Sequence, residues 1–293
     1  MPVVTRSVQA ADGRSLTVHE AGDPEGAPVL FHHGTPSSGR PWQRHDAEAE
    51  QQGVRLISYD RAGYATSDRN PGRAVVDVVG DALAIMDALG VDRFATWGLS
   101  GGGPHALACA ARAGDRVAAC ATMSGAGPSD APDLDFLAGM GDGNIHEFGL
   151  ARDGEAALRP ALEEEAAGLR GATVPQLVEG LAPFLSDVDA EALDDDLGGY
   201  FLAIFGEALA DGVDGWVDDD LAFVRPWGFE VSEIGVPVLV LQGRQDLMVP
   251  FAHGVWLARS IRGAEARLSE AEGHLTLFAN RTRDVHDWLR AHL

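Results

Sequence analysis

Lysine does not occur in this chain: its 22 basic residues are all arginine, set against 45 acidic ones for a formal net charge of −23. A surface of that sign repels nucleic acid and anionic membrane, so neither is expected as a partner. Solubility or salt adaptation accounts for such a balance, and the same field disfavours anionic substrates entering a cleft. Cysteine is nearly absent. Cys109 and Cys120 are too few for a disulfide framework, and their apolar neighbours mark both as small packing residues. No apolar run approaches the length of a bilayer span. Residues 1–9 show no charged-then-apolar leader and alternate like an edge strand, so the expected location is cytoplasmic. The ten histidines make no metal-ligand spacing, so no metal is expected. Gly101-Gly102-Gly103 lacks the lysine and the spacing of a nucleotide-binding loop, and no other cofactor is expected.

What is present is an alternation of strands and helices. Strand-like segments fall at Leu16–Glu20, Val29–His33, Arg55–Tyr59, Arg93–Trp97, Val117–Met123, Val236–Leu241 and Ala266–Leu268. Helix-like segments lie between them, at Trp42–Gln52, Val75–Leu89, Pro104–Ala113, Phe251–Ile261 and Ala279–Leu293. Ala82, Ile85, Met86 and Leu89 carry the i, i+3, i+4, i+7 stripe of a helix packed on a sheet. The pattern predicts an α/β fold with a mostly parallel central sheet covered on both faces. It stops near Gly127 and resumes at Val236. Between them, over residues 127–226, lie acid-rich helical pieces such as Gly154–Leu169, Val174–Leu185 and Leu197–Leu209. The runs Glu163–Glu165, Asp194–Asp196 and Asp218–Asp220 read as solvated faces or helix-start acids.

Ser100 sits in Gly98-Leu99-Ser100-Gly101-Gly102, after an apolar strand and before a helix. A serine on a strained strand-to-helix turn needs small neighbours, which glycine two residues to either side provides. Further along, Asp246 follows the strand ending at Leu241, and His274 follows Ala266–Leu268. Each of the three residues comes after a predicted strand, so a parallel sheet brings them to one edge. Asp130 is a less well placed alternative acid. The order is serine, acid, histidine.

These motifs resemble the α/β-hydrolase superfamily, in its cap-bearing serine esterase-like branch. The likeness covers roughly residues 10–126 and 227–293, which become the core, with 127–226 a helical cap inserted after the sixth strand. It includes Phe31-His32-His33-Gly34-Thr35-Pro36, similar to the family's oxyanion loop. It also includes Asp60-Arg61-Ala62-Gly63-Tyr64, a variant of the turn after its fourth strand. The resemblance implies backbone donors at Thr35 and Gly101 for an oxyanion. Gly34 lets that loop approach closely, and Leu99 and Met248 stand where substrate is expected to touch. Serine at position 100 argues against the dehalogenase and epoxide hydrolase branches, which typically carry aspartate there. His33-Gly34-Thr35-Pro36 departs from the glycine-rich loop of proline iminopeptidases.

The chemistry implied is acyl transfer to water. His274 takes the Ser100 proton and returns it to the leaving alcohol, while Asp246 orients the imidazole and stabilises its charged form. Activity is then expected to fall as pH drops through the His274 pKa, about 6.5 if unperturbed. Small or medium neutral esters are the expected substrates. Lactone, thioester or carbon–carbon hydrolysis and cofactor-free haloperoxidase chemistry can use the same three residues. A noncatalytic small-molecule binding protein is the alternative from another class. A monomer or homodimer is expected.

Overall fold

The computed structural model describes residues 3–293; Met1 and Pro2, part of the expected edge strand, lie outside them. Eight strands form one sheet in the order β1-β2-β4-β3-β5-β6-β7-β8. They are β1 (Val4–Gln9), β2 (Ser15–Gly22), β3 (Ala27–His32), β4 (Val54–Tyr59), β5 (Phe94–Leu99), β6 (Val117–Met123), β7 (Val238–Gly243) and β8 (Glu265–Ser269). β2 runs antiparallel to both β1 and β4. Every pairing from β4 through β3, β5, β6 and β7 to β8 is parallel.

The inner strands are apolar on both faces, as a doubly covered parallel sheet requires. Val238 and Val240 of β7 join one hydrophobic cluster and Leu239 and Leu241 the other. The first face is covered by α2 (Val78–Ala88), α3 (Gly102–Arg112) and α10 (Phe251–Ser260); the second by α1 (Gln43–Gln52) and α11 (His274–Arg290). Ala82, Ile85 and Met86 of the predicted stripe are wholly buried. Cys109 and Cys120 are free and buried.

Between β6 and β7 run α4 (Asp142–Asp153), α5 (Glu155–Leu169), α6 (Val174–Leu181), α7 (Asp187–Ala192), α8 (Asp195–Ala208) and α9 (Asp214–Phe223). Leu177, Leu197, Phe201 and Ile204 from this stretch belong to the same cluster as Leu275 and Phe278 of α11. Each such side chain, fully buried, contributes roughly 1.5–3 kcal/mol. The inserted helices are therefore welded to the sheet through continuous apolar packing. No helix among the described residues is long and apolar enough to cross a membrane.

Two expectations need correction, while the other two acidic runs stand as read. The reading of Asp218–Asp220 as a solvated face fails: all three are buried in α9, at 2%, 0% and 1% exposure. Asp218 pairs with Arg69 at 2.8 Å and Asp219 with Arg61 at 2.6 Å and Arg73 at 2.9 Å. Glu165 is solvent-accessible yet borders the central cavity. Asp194 behaves as a helix-start acid, accepting from the backbone N–H groups of Asp196 and Leu197 at 3.0 and 2.9 Å. The last helix starts at His274 rather than Ala279, and the reason lies in a cap contributed by a remote element, described below.

Candidate active site

Ser100 follows β5 directly and holds φ at +54°, a left-handed conformation costing a non-glycine residue of order 1–3 kcal/mol. The turn is tight enough to dictate its neighbours. A Cβ on Gly98 would stand 2.0 Å from the Gly102 carbonyl oxygen, and one on Gly102 would stand 2.0 Å from that of His32. Any side chain at either position forces the turn open.

Asp246 lies in the loop after β7 and His274 opens α11 after β8, so both sit beyond the carboxyl ends of parallel strands, as Ser100 does. Asp246 Oδ2 is 2.8 Å from His274 Nδ1 and accepts from Gln242 Nε2 at 3.1 Å; its Oδ1 accepts from the backbone N–H of Met248 and Val249. The carboxylate is thus held on four sides. Both partners are buried, at 2% and 3% exposure. Burial pulls the His274 imidazole down, but the Asp246 charge and hydrogen bond, with Asp189 behind them, outweigh it, and His274 titrates above its ordinary value. Among the described residues neither Ser100 Oγ nor His274 Nε2 makes a hydrogen bond, and both residues border one cavity. Such contacts commonly tighten only when substrate arrives.

Asp189 of α7 is a site residue that no sequence motif singles out. Its buried carboxylate accepts from the backbone N–H of His274, Leu275 and Thr276 at 2.7, 2.9 and 3.0 Å, capping the helix on which His274 stands. Gly273 makes room for it, since a Cβ there would come within 2.2 Å of Asp189 Oδ2. Replacing Asp189 with alanine is expected to lower stability by about 1–2 kcal/mol. Loss of His274 positioning is expected to cut kcat/KM by about tenfold or more, equivalent to at least 1.4 kcal/mol in the barrier. Because Asp189 also raises the His274 pKa, the acid limb of the pH profile moves to lower pH in the variant. A limb that stays in place marks Asp189 as scaffolding alone.

The loop after β3 carries Gly34 and Thr35 to the opposite side of Ser100. A Cβ on Gly34 would lie 3.7 Å from Ser100 Cβ, and one on Gly101 would lie 2.4 Å from Thr35 Oγ1, so the three segments converge. Gly101 sits at the N-terminus of α3, where unpaired amides and the helix dipole favour negative charge. Behind this loop lies a buried ionic network. Arg61 donates to the carbonyls of His33 and Gly34, to Thr35 Oγ1 at 3.0 Å and to Asp219 Oδ2 at 2.6 Å. Asp219 Oδ2 also accepts from Thr35 Oγ1 at 2.6 Å and Tyr64 Oη at 2.9 Å. Burial would raise the Asp219 pKa, but Arg61 and Arg73 override it and hold the carboxyl well below the usual range. Burial and the Arg61 charge push His105 down to about 3, leaving it neutral with Nδ1 2.8 Å from the Gly101 carbonyl.

His33 proves structural, its Nδ1 2.7 Å from the Gly34 carbonyl and its Nε2 accepting from the Arg61 amide. Asp60 reaches beyond the turn on which it stands. Its side chain holds the Gly39 amide at 2.6 Å, in the loop after β3, rather than only its own turn. Asp130 is exposed and lies outside the cavity.

Ser100, His274, Gly34, Thr35, Leu99, Gly101 and Met248 all border a single cavity of about 470 Å³. The inserted segment supplies its other wall, including Met140, Phe148, Phe184, Phe205 and Trp216. No arginine lines it. The arrangement offers a hydroxyl, an oriented base and two segments of backbone amides around one apolar chamber, a constellation suited to acyl transfer.

Comparison with known proteins places the fold. A family model described as alpha/beta hydrolase fold matches residues 27–280. A non-heme haloperoxidase of Rhodococcus erythropolis is 33% identical over 129 residues, 44% of this chain and 45% of that protein, so the match spans under half of that relative's length. A 2-hydroxymuconate semialdehyde hydrolase of Pseudomonas putida is 25% identical over 296 residues, covering 94% of this chain and 89% of the relative. Among solved structures, an esterase from Exiguobacterium antarcticum superposes with a TM-score of 0.75 at 20% identity, covering 98% of this chain and all of that one, 100%. The family model covers strands β3 to β8, the turn bearing Ser100 and the loops bearing Asp246 and His274, and the chain belongs to the alpha/beta hydrolase fold family.

Proposed function

We propose that the protein is a serine hydrolase that cleaves carboxylic esters of small or medium size through an acyl-enzyme intermediate. The observation that carries this reading is the buried Asp246–His274 pair, 2.8 Å apart, bordering the same apolar cavity as a serine on a strained turn. Ser100 Oγ attacks the ester carbonyl while His274 Nε2 takes its proton. The carbonyl oxygen gains negative charge beside the N–H groups of Thr35 and Gly101. Collapse breaks the carbon–oxygen bond, and His274 passes the proton to the departing alcohol. Water then repeats the sequence on the acyl-enzyme, releasing the acid and restoring Ser100. Leu99, Gly34 and Met248 would contact the bound substrate near the reacting carbon.

A p-nitrophenyl ester series from acetyl to palmitoyl tests the reading. A cavity of about 470 Å³ predicts turnover peaking at a short or medium acyl chain, since longer chains must leave it. Absence of turnover in folded protein across the series overturns the assignment and favours carbon–carbon hydrolysis, the second reading. That reading is supported by the near full-length similarity to the Pseudomonas putida hydrolase. The pH dependence has a definite sign. His274 must be neutral to accept the proton, and its folded-state value is raised. The acid limb of kcat/KM therefore falls above about pH 6.5, the unperturbed histidine value. A limb below that value contradicts the assigned base.

A further inference from the structure

Three consecutive aspartates are buried in α9, and only two have a cation. Asp218 has Arg69, Asp219 has Arg61 and Arg73. Asp220, 1% exposed, has neither. Its Oδ2 is wholly buried and accepts no hydrogen bond from any donor among the described residues. Its carboxyl lies against that of Glu147, and both residues border the cavity that holds Ser100 and His274. Glu165, from α5, borders the same cavity. Trp216 Nε1 donates to Glu147 Oε1 at 2.9 Å, satisfying one oxygen of the group. Three carboxylate residues thus border one chamber whose lining, among the described residues, contains no arginine.

Burying carboxyls without a partner is costly, and chains normally place a cation beside them. Burial and the Glu147 carboxyl push Asp220 well above its ordinary range. Burial, with Glu147 and Glu164 nearby, pushes Glu165 up to about 7. The group is deficient in positive charge. A metal ion does not answer the deficit: among the described residues no set of three or more carboxylate, histidine or cysteine ligands is disposed to hold one. An ammonium group does, since it brings one charge and several donors, and Phe148 and Trp216 in the same lining present aromatic surface to a cation.

We propose that the Glu147–Glu165–Asp220 wall of the cavity is a subsite for a protonated amine, so that the favoured substrates are esters bearing an ammonium group away from the scissile carbonyl. This rests on the hydrolytic reading above and replaces the expectation of neutral substrates. The net charge of −23 acts in the same direction by drawing cations toward the protein.

The test compares n-alkylamines with n-alkanols of equal length, from propyl to octyl. Each is measured by calorimetry and as a competitive inhibitor of p-nitrophenyl butyrate hydrolysis. Salt at roughly 0.3 M screens the diffuse field of the surface. At the best-fitting length the amine is expected to bind about tenfold tighter than the alcohol, the scale of one charge-assisted contact. Asp220→Asn and Glu165→Gln should each shrink that preference by several-fold. Glu165 is accessible, so its variant remains informative if Asp220→Asn does not fold. Amines binding no tighter than alcohols at every length overturn the proposal, as does a preference unchanged in the folded variants. Missing ester turnover with amine-selective calorimetry refutes the hydrolytic reading and leaves the subsite standing. Turnover without amine selectivity does the reverse.

Discussion

Turnover of any ester that the protein accepts is expected to fall by roughly 10⁴- to 10⁶-fold in Ser100→Ala. The size follows from the loss of the covalent route. Without the hydroxyl, His274 and Asp246 have no proton to move from Oγ, and only the proposed backbone donors of Thr35 and Gly101 remain to polarise a bound carbonyl. The variant should fold as well as the parent. Alanine keeps the same Cβ at φ +54°, so the strain of the turn is unchanged, and among the described residues Ser100 Oγ makes no hydrogen bond that the fold would miss. Unchanged thermal unfolding alongside lost turnover is the expected pair of results. Retained turnover sinks the proposed nucleophile. Glycine at the same position is expected to stabilise the fold by about 1 kcal/mol, because it relieves the left-handed strain, and to be equally inactive.

Asp219→Ala is expected to produce the largest loss of stability, about 3–5 kcal/mol. The deletion leaves Arg61 and Arg73 buried, at 1% and 6% exposure, with their shared carboxylate gone. It also removes the acceptor of Tyr64 Oη and Thr35 Oγ1. Any protein that still folds should show a kcat reduced by roughly 10²–10³, the cost of losing an oxyanion donor, because Arg61 and Thr35 no longer hold the loop against Gly101. KM should change little, since the affected contact forms only as charge develops on the substrate oxygen. Asp219→Asn keeps the acceptor oxygen and should recover part of the rate without the full stability. A fall in KM-dependent terms alone, with kcat intact, would show that the network does not position the loop. The carboxyl is depressed in the folded state. Its contribution is therefore complete above the unfolded value near 3.9 and begins to be lost only as pH drops below about 4.

The elbow at Ser100 was legible because its constraints are local. Gly98 and Gly102 are demanded by contacts within one turn and its adjoining strand, so their spacing survives in the sequence as a pattern. Asp246 and His274 were legible for a related reason: each comes just beyond a strand, and parallel strands deliver such positions to one edge. The same logic failed for α9. Its aspartates read as a polar face because their partners, Arg69 and Arg61, lie 149 and 158 positions away. Asp189 was invisible on the same ground. It caps a helix 85 positions downstream, where sequence rules for helix starts look only to the adjoining residue.

The order of strands and helices and the candidate nucleophile, acid and base could be read from the sequence alone, because hydrophobic periodicity and the sterics of a tight turn act over a few neighbouring residues. Which acids are buried, which arginine neutralises each, and which one is left facing the cavity were decided only by the tertiary structure. Burial and Coulomb attraction depend on distance through space. Residues 218, 219 and 220 are chemically identical and adjacent in the chain, yet two pair with arginines and the third borders the cavity because a helix turns each by about 100° onto a different neighbour.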